Sequence, residues 1–79
     1  MTQEQKIQIF QEMKNIEDEI ITLQKMQEQG QGDWEYNFKL NLTVNEVHTR
    51  MFERSEATWK IIHILGLDSE FFAWERRQN

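Results

Sequence analysis

The side chains best suited to chemistry in this sequence are two histidines, His48 and His63, and the acidic run Glu17-Asp18-Glu19. A histidine pair can ligate zinc or move protons, and clustered carboxylates can hold a hard cation. The spacing works against both uses. His48 and His63 lie on one predicted helix, and at about 1.5 Å of rise per residue they stand roughly 22 Å apart, too far for one metal. Successive helix positions turn by about 100°, so the three acids fan out around the helix and do not converge. There is no cysteine, which removes thiolate nucleophiles and thiolate metal sites. The sequence also lacks a glycine-rich phosphate loop, a His-x-x-x-His pair and a recognisable serine–histidine–aspartate layout. The expectation is a non-enzymatic protein with no catalytic residue, no cofactor and no metal.

Composition narrows the remaining classes. The sequence has 79 residues, no proline, three glycines and a formal charge of -5. That length fits one small domain, 1–79. A core this small contributes only about 3–5 kcal/mol, and natural domains of this size add a staple. With no disulfide or metal to serve, self-association is the staple left, and nine aromatic residues supply apolar surface for it. The net negative charge disfavours nucleic acid, whose phosphates need clustered Lys and Arg. No run approaches the roughly 18 apolar residues of a membrane span. The start, Met1-Thr2-Gln3-Glu4-Gln5-Lys6, lacks the basic-then-apolar order of a signal peptide. A cytoplasmic protein without membrane contact is the expectation, in keeping with the missing cysteine.

The elements follow from periodicity. Ile9, Met13, Ile16, Ile20 and Leu23 are spaced 4, 3, 4, 3, which predicts an amphipathic helix over 3–29. Gly30-Gln31-Gly32-Asp33 ends it in a turn. From Trp34 to Val44 apolar and polar residues alternate strictly. Alternation predicts a strand over about 34–42 with Trp34, Tyr36, Phe38, Leu40 and Leu42 on one face. A lone strand leaves backbone groups unpaired, so the strand is expected to pair with its mate across a homodimer. The alternative is an all-α helical bundle. Thr43-Val44-Asn45-Glu46 matches a capping box opening a long helix over 44–65. Gly66 closes it, and Asp68 caps a short helix over 69–78 rich in Phe71, Phe72 and Trp74. The fold expected is therefore mainly α: long helix, one strand, long helix, short helix.

Three apolar sets are candidates for the dimer or partner interface. They are the strand face from Trp34 to Leu42, the seam Ile9, Met13, Ile16, Ile20 and Leu23, and the tail residues Phe71, Phe72 and Trp74. The stretch Phe38-Lys39-Leu40-Asn41-Leu42-Thr43-Val44-Asn45-Glu46-Val47 resembles the strand-into-helix segment of small, uncharacterised tailed-phage proteins. That resemblance implies a phage-encoded protein in a bacterial host cytoplasm, with no activity to carry over. The order strand, helix, helix resembles the ribbon–helix–helix DNA-binding dimers, and that resemblance implies base contacts from the outward residues Asn37, Lys39 and Asn41. The first expectation is a small homodimeric protein that binds and modulates an unidentified protein partner. The alternative is a ribbon–helix–helix-like transcriptional regulator.

Overall fold

The computed structural model describes residues 1–78. Helix α1 spans Gln3–Glu28, strands β1 and β2 span Glu35–Asn37 and Leu42–Thr43, and helices α2 and α3 span Val44–Ile64 and Asp68–Gln78. The fold is mainly helical, as the periodicity predicts. Both long helices open on a capping box. The Thr2 hydroxyl accepts from the Gln5 backbone N–H, and the Thr43 hydroxyl accepts from that of Glu46. The Gln5 and Glu46 side chains reach back to the cap backbone in turn. Each box satisfies two helix N–H groups that have no intrahelical partner.

At the end of α2, Gly66 takes φ 69°. Its N–H donates to His63 at 3.0 Å, and the Leu67 N–H donates to Ile62 at 2.9 Å. This is the paired bonding of a Schellman ending, and its left-handed residue is one that a side chain would strain. The chain thereby reverses, and α3 folds back on the helix pair. Helix α1 ends on the equivalent bonds, from Gly30 to Gln27 and from Gln31 to Met26.

The strand region departs from expectation. Residues 34–42 do not form one strand pairing with a second copy; they fold on themselves as a hairpin. β1 pairs antiparallel with β2, with Glu35 opposite Thr43 and Asn37 opposite Leu42, so one extra residue bulges at Tyr36. Two asparagines cause the reversal. The Asn37 carboxamide oxygen accepts from the Leu40 N–H at 3.0 Å, and Asn41 adopts φ 56°. Asn closes such local turns and tolerates the left-handed region better than other side chains. The hairpin satisfies its backbone within the chain, so the strand no longer calls for a dimer mate. The same two strands set aside the all-α bundle.

Two buried clusters hold the fold. In one, Leu23 of α1 meets Leu42, Val44 and Val47, with Met26, Tyr36 and Met51 against them. In the other, Phe10 and Met13 meet Ile62, Leu67, Phe71 and Trp74. Early α1 thus packs on late α2, and late α1 on early α2, so the two helices run antiparallel. The second cluster is largely aromatic. Phe10 stands edge-on to Phe71 at 5.5 Å, and Trp59 meets Phe71 at 5.8 Å. Such pairs add about 0.5–1.5 kcal/mol each beyond their area. Exposed ion pairs, Lys6 with Glu70 at 3.1 Å and Glu12 with Arg54, bridge the helices and contribute at most about 1 kcal/mol each.

Candidate protein-interaction surface

The hairpin is anchored by two of its apolar residues and displays three. Leu42 is buried and Tyr36 is half-buried, both in the cluster around Leu23. The Tyr36 hydroxyl donates to Glu19 on α1 at 3.3 Å, tying β1 to the first helix. Backbone bonds hold the root: the Trp34 N–H donates to Gln31 at 3.1 Å, and the Val44 N–H to Trp34 at 2.9 Å. Trp34, Phe38 and Leu40 point away from the core and are 59%, 76% and 59% exposed. A bulge at Tyr36 and the turn at 38–41 break the single face that alternation would give. Three large apolar side chains therefore sit on a short, doubly anchored projection.

The other expected interface residues have different places. Met13, Ile16, Leu23, Phe71 and Trp74 are buried in the chain's own core. Ile9 and Ile20 are half-buried, Ile9 against the aromatic cluster. These positions pack α1, α2 and α3 together and present little to a partner. Phe72 is exposed, and its ring lies tilted against that of Trp59 with centroids 5.5 Å apart. The DNA-contact row is not one row. Asn37 spends its side chain closing the loop, while Lys39 and Asn41 lie in the loop between the strands.

An apolar surface on α2 has no counterpart among the expected interface residues. Ile61, Ile64 and Leu65 are all exposed, as is Met1. Helix α2 carries more apolar residues than one buried stripe can hold, and that surplus is the signal that marks a second surface.

Burial, then the neighbouring Glu75 carboxyl and Asp18, push Glu17 up to about 7, against the lowering pull of Lys14. A carboxyl near neutrality suits proton transfer. Here it faces a second carboxyl, that of Glu75, across the α1–α3 seam. His63 Nδ1 lies 2.9 Å from Asp68 Oδ2, and this bond holds the Asp68 carboxyl below its usual value. His48 stacks on Phe52 at 6.3 Å. Among the described residues no group of three His, Cys, Asp or Glu could hold a metal ion, and no helix is long and apolar enough to cross a membrane.

Comparison with protein-family models, with curated proteins and with solved structures yields no match to this chain.

Proposed function

We propose that this chain is a non-enzymatic interaction protein that docks on a protein partner through the exposed apolar residues of its β-hairpin. The observation that carries this reading is the outward display of Trp34 at the hairpin's root and of Phe38 and Leu40 in its loop. Large exposed apolar groups cost solubility unless something covers them, and aromatic anchors dominate the energetics of protein interfaces. The net charge of -5 favours a partner whose rim is basic. Modulation of that partner by occupying its surface needs no chemistry from this chain. The resemblance of residues 38–47 to tailed-phage proteins supports a phage-encoded setting inside a bacterial cytoplasm.

The test is affinity capture on the full chain, wild type against Trp34→Ser, Phe38→Ser and Phe72→Ser. A protein retained by the wild type and by Phe72→Ser, and lost with either hairpin variant, supports the reading. Equal retention by all four chains rejects it.

A further inference from the structure

Tyr36 and Leu42 are both held in the cluster around Leu23, so the stretch between them, 37–41, is a loop fixed at its two ends. Neither Phe38 nor Leu40 belongs to a buried cluster, and both are exposed. Core packing therefore does not aim these two side chains. Their direction follows from the loop backbone, which two asparagines shape. The Asn37 carboxamide oxygen accepts from the Leu40 N–H at 3.0 Å and closes the loop across Phe38 and Lys39. Asn41 takes φ 56°, the single positive φ outside glycine among the described residues, and so turns the chain into β2.

We infer that Asn37 and Asn41 are positioning residues of the docking surface, which set Phe38 and Leu40 in their binding arrangement before any contact and so raise affinity while adding no apolar area. This rests on the docking role proposed for the hairpin. The physical basis is conformational entropy. An exposed loop that samples many backbone states must be ordered when it docks, and that ordering opposes association. Here the loop is already ordered in the free chain, by one hydrogen bond and one left-handed residue. Asparagine suits both tasks: its side chain bonds the backbone a few residues on, and it tolerates the left-handed region. The Asn37 side chain is half-buried and spends its oxygen on its own loop, so it acts through Leu40.

The experiment compares the full chain with Asn37→Ala, Asn37→Asp, Asn41→Ala, Asn41→Gly and Phe38→Ser. Hydrogen exchange at the Leu40 amide reads the loop, and titration with the protein eluted from the wild-type capture reads docking. In Asn37→Ala the Leu40 amide should exchange faster and the Kd should rise, each by about two- to tenfold, the net worth of one hydrogen bond. Asn41→Ala should weaken docking to a similar degree. Asn37→Asp can accept the same bond and Asn41→Gly can keep the left-handed angle, so both should stay near wild type. Helical circular dichroism should be the same in all six chains, because the loop lies outside both buried clusters. Asn37→Ala binding as tightly as wild type, while Phe38→Ser does not, overturns the inference and leaves the docking reading standing. A loss that neither Asn37→Asp nor Asn41→Gly restores overturns it as well. Phe38→Ser binding as tightly as wild type, or a wild type that retains nothing, rejects the docking reading and the inference with it.

Discussion

The Gln27 side-chain amide donates to the Asn45 carboxamide oxygen at 2.9 Å, joining the last turn of α1 to the first turn of α2 beside Gly32. The Asn45 N–H donates to the Gly32 carbonyl at 3.0 Å, so the turn and the helix start are pinned together. A Cβ on Gly32 would lie 2.6 Å from that same Asn45 oxygen. The hairpin enters and leaves through this junction, so its placement depends on it.

Gly32→Ala should therefore push the exposed Asn45 side chain aside and cost its bond to Gln27, about 0.5–1.5 kcal/mol. In an Asn45→Ala chain, which has already lost that bond, the same substitution should cost little more. Urea denaturation of the two single variants and the double variant checks this, and simple additivity would sink the steric explanation.

The aromatic cluster should dominate stability. Phe10 and Phe71 are each 1% exposed, so truncating either to alanine should cost about 3–5 kcal/mol. That is comparable to the whole stability of a domain this size, and thermal scans should show little cooperative melting. Phe72→Ala, at a half-exposed position, should keep a clear transition.

Stability should fall as pH rises toward neutrality. Glu17 has its folded pKa raised from 4.5 to about 7. Below about 4.5 the group is protonated whether folded or not, and its full contribution is present. Between 4.5 and 7 the unfolded chain sheds the proton first, so the contribution is lost as pH climbs through the folded value. Solvent screening at this partly exposed site limits the effect to about 1 kcal/mol. Denaturant midpoints measured across that range should decline in the wild type, and Glu17→Gln should flatten the decline.

Asp68 should behave in the opposite sense. Its carboxyl is held below the usual 3.8 by the bond to His63. Its contribution is present above the unfolded value and disappears as pH falls through the lower folded one. Carbon-detected NMR titration should show Asp68 titrating low in the wild type and returning toward 3.8 in His63→Ala.

Much of the architecture is local and could be read from residue order. The seam from Ile9 to Leu23 predicts α1, Thr43 with Glu46 predicts the start of α2, and Gly66 predicts its end. Each rests on contacts within a few residues of one another, which neighbours in sequence must make. The alternation from Trp34 to Val44 was also legible as extended chain. Which of its members turn inward was not, because a bulge at Tyr36 and the turn between Asn37 and Asn41 shift the register partway along.

The interaction surface was harder still. Sequence alone ranks Phe71, Trp74, Phe38 and Ile64 as similar apolar groups. Only the tertiary structure separates them, because burial depends on what arrives from elsewhere in the chain. Phe10 reaches across to cover Phe71 and Trp74, while Phe38 and Ile64 remain exposed. Composition and periodicity thus determined a small acidic helical chain with surplus apolar surface. Packing decided which surplus holds the chain together and which is left to meet another molecule.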